Sequence, residues 1–129
     1  MSMPIVSISL NQKILDEIDA LQNEMGFSGR SEAIRAAIRM LMADKREKDY
    51  LFGVIDATLL VIHDEKHSAL VSKIRHDFQG LIKTQIHNHL ENQKCLEIFV
   101  IKGEAESIRK MTNTFQTNKN LDYVKLVVS

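Results

Sequence analysis

The chain has 129 residues, 44% of them hydrophobic and 26% charged, enough for one ordinary domain or two very small ones. Its formal net charge is zero, so a nucleic-acid partner would have to be met by a local surface, and no apolar run approaches the roughly 20 residues of a membrane helix. A single cysteine excludes an internal disulfide, and the opening MSMPIVSISL lacks the basic-then-apolar order of a secretion signal, so a reducing, cytoplasmic location is expected.

In chain order, PIVSISL alternates with period two. Ile5, Ser7 and Ser9 face one way and Val6, Ile8 and Leu10 the other, which predicts a short strand. Asn11 then caps a helical stretch whose apolar positions are Ile14, Ile18, Leu21 and Met25, and Gly26 ends it. Ser31 opens a second helix with an apolar face of Ala33, Ile34, Ala37, Ile38, Leu41 and Met42. One strand and two helices cannot bury a sufficient core, so a second copy with its strand paired antiparallel is expected. The charged run ADKREKDY, residues 43–50, reads as a linker or frayed helix end.

The remainder has a different rhythm. LFGVIDATLLVIH predicts a strand with an irregularity at Gly53, and SALVSKIRHDF a helix through Leu70, Val71, Ile74 and Phe78. LIKTQIHNHL and CLEIFVIKG predict two strands joined by the polar turn ENQK. EAESIRKMTNTF predicts a helix, and LDYVKLVVS a last strand. The order βαββαβ is ferredoxin-like, which makes the protein α+β with a βαα domain at 1–46 and a βαββαβ domain at 47–129.

Chemistry concentrates in IHNHLENQKC, where two of five histidines and the only cysteine fall within ten residues. On a strand His87 and His89 point to one face, with Cα atoms about 6 to 7 Å apart, and the turn brings Cys95 onto the neighbouring strand. Such a hairpin offers two nitrogens and a thiolate to one ion; equally, the pair could be a half-exposed polar face and the cysteine a small buried residue. With one more nitrogen, N₃S ligation suits zinc, nickel(II) or copper(II). His76, near the end of the preceding helix, could be that fourth ligand or a solvated helix cap. Glu97 shares a strand face with Cys95, and could accept an N–H from a ligand imidazole or stand at a surface edge. His63 and His67 flank the segment HDEKHSA and are expected to be solvated loop residues.

GRSEAIR (29–35), CLEIFVIKGE (95–104) and the spacing of His76, His87, His89 and Cys95 together resemble NikR, the nickel-responsive repressor family, over nearly the whole chain. The resemblance implies a ribbon-helix-helix domain followed by an ACT-type, ferredoxin-like regulatory domain, and a homotetramer built as a dimer of dimers. It implies a nickel(II) site with His87, His89 and Cys95 from one chain and His76 from a neighbour. It further implies a two-stranded ribbon in the major groove of double-stranded operator DNA, with Ile5, Ser7 and Ser9 facing the bases. The helix start at Ser31 would meet a phosphate with its N–H groups, aided by Arg30 and Arg35, and Lys66 stands where the family has basic residues that touch the DNA backbone.

Two positions depart from the family's pattern. Ile5 occupies a place usually held by a basic residue, so the bidentate contact an arginine makes to guanine is missing and the operator sequence does not carry over. Ala36 replaces an acidic residue that would share a cation with Glu32. The expected function is a nickel-responsive transcriptional repressor. The rivals are the same architecture sensing copper(II) or another divalent transition metal, and a small-molecule-sensing DNA-binding regulator. An enzyme is not expected: four protein ligands leave no open coordination position, and the nucleotide-loop and His-Glu-x-x-His motifs are absent.

Overall fold

The structure, a computed structural model, describes residues 3–128. Ser129, the end of the expected last strand, lies outside the described residues. The chain divides into two compact units, Met1–Glu47 and Lys48–Ser129.

The first unit is built on helices α1 (Gln12–Met25) and α2 (Arg30–Asp49). Asn11 Oδ1 accepts from the Ile14 N–H at 2.8 Å, satisfying one of the free donors at the start of α1. Gly26 ends the helix in the left-handed region at φ 78° and returns its N–H to the Gln22 carbonyl. Arg30 spans the two helices through a two-point contact with Asp19, at 2.8 and 3.0 Å. Ala33 is the one buried residue among those described in this unit. Ile8, Leu10, Ile18, Leu21, Ile34 and Ile38 instead help to line an apolar groove of about 290 Å³.

Two expectations are corrected here. Residues 3–11 form no strand, and the apolar members Val6 and Ile8 are 77% and 69% exposed. A lone strand has no ladder to join, so within one chain the alternation has nothing to hydrogen-bond. The segment 43–49, expected to be a linker, continues α2. It contains neither glycine nor proline and is rich in alanine, lysine, arginine and glutamate, all strong helix formers.

In the second unit, β1 (Val54–Asp64), α3 (Ser68–Asp77), β2 (Ile82–His89), β3 (Lys94–Glu104), α4 (Ala105–Gln116) and β4 (Leu121–Val128) follow the order βαββαβ, with 3₁₀ turns at Glu65–His67 and Gln79–Leu81. The four strands lie in the order β2-β3-β1-β4 with every neighbour antiparallel. Gly53, placed inside the first strand by the sequence, stands just before it at φ 71°, and its carbonyl accepts from the Ala105 N–H at 2.8 Å. Arg109 of α4 donates to the carbonyls of Lys48 and Leu51, at 3.0 and 2.7 Å.

Strand alternation sorts the sheet into two faces. Leu59, Val61, Phe99 and Ile101 point to the helices and are fully buried with Val71, Ile74, Ile108, Met111 and Phe115. The Phe99 and Phe115 rings stack with centroids 5.7 Å apart. The opposite face carries Leu60, Ile62, Leu96 and Ile98, half-buried, beside exposed Ile86, Val100, Tyr123 and Val127. No helix of this unit covers it, because α3 and α4 both lie with the buried face.

Candidate metal centre

The β2–β3 hairpin closes through a tight turn at Glu91–Lys94, in which Asn92 and Gln93 both take positive φ, 59° and 60°. That is the type I′ geometry, whose twist matches the flanking strands. The Gln93 carbonyl accepts from the Glu65 N–H at 2.8 Å, tying the turn to the end of β1. The resulting register sets His89 opposite Cys95 and His87 opposite Glu97. On its other side Cys95 faces His63 of β1.

The donor atoms of His87, His89 and Cys95 all lie within 4.8 Å of one another. Cys95 Sγ and His89 Nδ1 are 3.8 Å apart, and the two imidazoles meet edge to face with centroids 4.9 Å apart. Cys95 is fully buried while both histidines are exposed, so the thiol forms the floor and the imidazoles the rim. Burial pushes the Cys95 thiol up, and the carboxylates of Glu65, Glu97 and Asp64 push it the same way. Two imidazoles and a thiol are borderline-soft donors, so the chemistry of this set fits a late first-row divalent ion, with one further donor needed for four-coordination. Among the described residues His76 is not in the cluster; it is exposed in the last turn of α3.

Glu97 is buried, at 4% exposure, and stands beneath the rim. Its Oε1 accepts from His87 Nδ1, and its Oε2 accepts from Gln85 Nε2 at 3.1 Å. With Nδ1 so engaged, Nε2 is the His87 atom left for an ion. His63 corrects a further expectation. It is no solvated loop residue but a fully buried member of β1, with Nε2 3.4 Å from Glu97 Oε1 and Nδ1 donating to the Asp64 carbonyl at 2.8 Å. The signal was present in the sequence: His63 continues the alternation of Leu59 and Val61, which places it on the buried face. His67 is half-buried in the 3₁₀ turn.

The residues singled out for DNA are all exposed. Ile5 is 97% exposed, and Ser7 and Ser9 share its side of the segment, whereas Ile8 and Leu10 line the apolar groove. Ser31 sits in the first turn of α2 and Lys66 in the 3₁₀ turn after β1. Arg30 is held by Asp19, and Arg35 by Glu32 at 3.0 Å. Glu32 also accepts from Arg39 at 3.1 Å, so its carboxylate already has two cationic partners.

A two-helix unit followed by a ferredoxin-like domain with a His–His–Cys donor cluster is the build of a metal-linked regulator, not of an enzyme. Comparison with known proteins gives the family. Residues 57–129 match the NikR C terminal nickel binding domain, and residues 5–45 match the ribbon-helix-helix protein, copG family. A "Putative nickel-responsive regulator" of Methanococcus aeolicus is 34% identical over 98% of this chain and 92% of its own. A protein of the same name from Methanococcus maripaludis strain C5 is 35% identical over the same shares, and one from Methanococcoides burtonii is 33% identical over 94% and 89%. Among solved structures, an uncharacterized protein from Thermotoga maritima shares the fold, with a TM-score of 0.54 at 15% identity over 59% of this chain and 98% of that one. The chain belongs to the NikR family of transcription regulators, whose C-terminal domain is a nickel-binding domain.

Proposed function

We propose that the protein is a cytoplasmic, nickel-responsive transcriptional repressor that binds operator DNA through a ribbon shared by two chains. The observation that carries this reading is the convergence of His87, His89 and Cys95 within 4.8 Å, one donor short of a complete set. His87, His89 and Cys95 would hold nickel(II), and His76 of a neighbouring chain would supply the fourth donor. Planar N₃S ligation suits a d⁸ ion better than zinc, which has no electronic preference for it. A site completed only between chains makes occupancy a report on assembly, so nickel biases how the DNA-binding parts are placed.

Two surfaces support a homotetramer. The apolar groove of the first unit lies beside the unpaired segment 3–11 and fits a ribbon-helix-helix dimer formed by residues 1–46. The uncovered apolar sheet face fits association through an ACT-type domain, residues 47–129. In the ribbon, Ile5, Ser7 and Ser9 would face the bases, with Ser31, Arg30 and Arg35 at phosphates and Lys66 at a further backbone contact. Arg30 and Arg35 must exchange Asp19 and Glu32 for phosphate, so the salt dependence of binding is expected to be shallow, each net contact giving about 0.9 log units of affinity per log unit of salt.

The test is footprinting on the protein's own promoter-proximal DNA with and without nickel, beside a nickel titration followed by visible absorption. A planar nickel–thiolate band, and protection that requires nickel, are the expected results. Protection unaffected by nickel, or supported equally by copper(II), would defeat the nickel assignment. His76→Ala is expected to remove the planar band while leaving the ribbon fold unaltered.

A further inference from the structure

The family resemblance gives His63 no role, yet it is the one fully buried histidine among the described residues. It is the cross-strand neighbour of Cys95 on β1, and both its ring nitrogens face oxygens. A buried imidazole must have its polar atoms matched, and here the matching runs in one direction. Nδ1 is fixed by the Asp64 carbonyl of its own strand, which sets the ring plane. Nε2 is thereby aimed at Glu97 Oε1, the same oxygen that accepts from His87 Nδ1.

We infer that His63 is a positioning residue of the metal centre: from β1, through the Glu97 carboxylate of β3, it holds His87 of β2 with Nδ1 protonated and Nε2 turned to the ion. This inference rests on the reading of His87 as a ligand. Its physical basis is that Glu97 has two oxygens and three partners on three different residues, His63, Gln85 and His87. A free carboxylate can rotate away from an exposed histidine. A carboxylate clamped from the strand behind and by Gln85 cannot, so the tautomer of the exposed ring is fixed before any ion arrives. Partners behind a ligand imidazole typically change metal affinity by about 10- to 100-fold when removed.

The experiment uses the full-length, metal-free protein with ¹⁵N-labelled histidine, read by long-range nitrogen–proton correlation, together with a nickel competition titration. The wild type is expected to show His87 in a single form with the proton on Nδ1. His63→Phe keeps a ring and removes both nitrogens. It is expected to leave His87 as a mixture of tautomers and to weaken nickel binding about 10- to 100-fold. His63→Gln, which returns one amide donor toward Glu97, should restore the single form. An unchanged His87 spectrum and unchanged affinity in His63→Phe would overturn the inference. Should that variant not fold, the wild-type spectrum decides: a proton on His63 Nε2 supports the contact, and a bare nitrogen there ends it. Because the tautomer is read without metal, failure of the wild type to take up nickel would sink the proposed function and leave this comparison standing.

Discussion

Cys95 shows how one residue serves packing and ligation at once. Its side chain fills the floor of the cluster with no solvent exposure, and its thiol is held up by burial and by three nearby carboxylates. Nickel uptake must therefore expel a proton, and apparent affinity should fall as pH falls. Cys95→Ala removes the thiolate and little volume. We expect it to abolish the nickel–thiolate absorption and weaken nickel binding by more than tenfold, while thermal unfolding shows a loss of only about 1 kcal/mol. Loss of the fold instead would mean that Cys95 is primarily a core residue. The ligand spacing was legible in IHNHLENQKC because a strand's period of two leaves few ways to arrange His87 and His89. His63 was misread because the adjoining segment HDEKHSA is polar, and polarity outweighed an alternation that had already placed it inside.

At the scale of elements, local rules were enough wherever the partner lay in the same chain. The second unit's strands and helices all stand within a residue or so of the places their patterns indicated, because each apolar face finds its cover within 82 residues, from 48 to 129. They were insufficient at 3–11, where the partner is not in the chain, and at 43–49, where charge density masked helix propensity. The hairpin turn carries a testable strain. Gln93 adopts φ 60°, which a side chain with a Cβ disfavours and glycine does not. Gln93→Gly should stabilise the domain by about 0.5–1 kcal/mol in urea unfolding, with the spectrum of nickel-loaded protein unchanged. In the first unit, Arg30 holds the Asp19 carboxyl below the usual carboxylate range, chiefly by hydrogen bonding. A carboxyl depressed on folding stabilises above its unfolded pKa and loses that contribution as pH falls through the folded value. Asp19→Asn should therefore lower Tm slightly at pH 7, and the difference should vanish on acidification below about pH 3. A difference that persists in acid would show that the pair is not its source.

For the whole molecule, the two uncovered apolar surfaces make separate demands. The first unit buries a single described residue, Ala33, so its stability must come from a second copy laid into the groove of Ile18, Leu21, Ile34 and Ile38. The second unit already has a closed core, and its open sheet face needs a partner only to hide Ile86, Val100, Tyr123 and Val127. A charge placed in the groove should therefore break one association and spare the other. Ile38→Glu puts a carboxylate into an apolar surface, a change costly enough to prevent pairing there. If the assembly is a tetramer made through both surfaces, light scattering should find this variant at half the wild-type mass, held by the sheet faces alone. Operator binding should disappear, because a ribbon needs two segments 3–11 in register. Nickel binding should persist, since His76, His87, His89 and Cys95 all lie in the second unit. Loss of nickel binding in the Ile38→Glu dimer would mean that the fourth donor is brought to the cluster through the N-terminal association, and the sheet face would then have no part in completing the site.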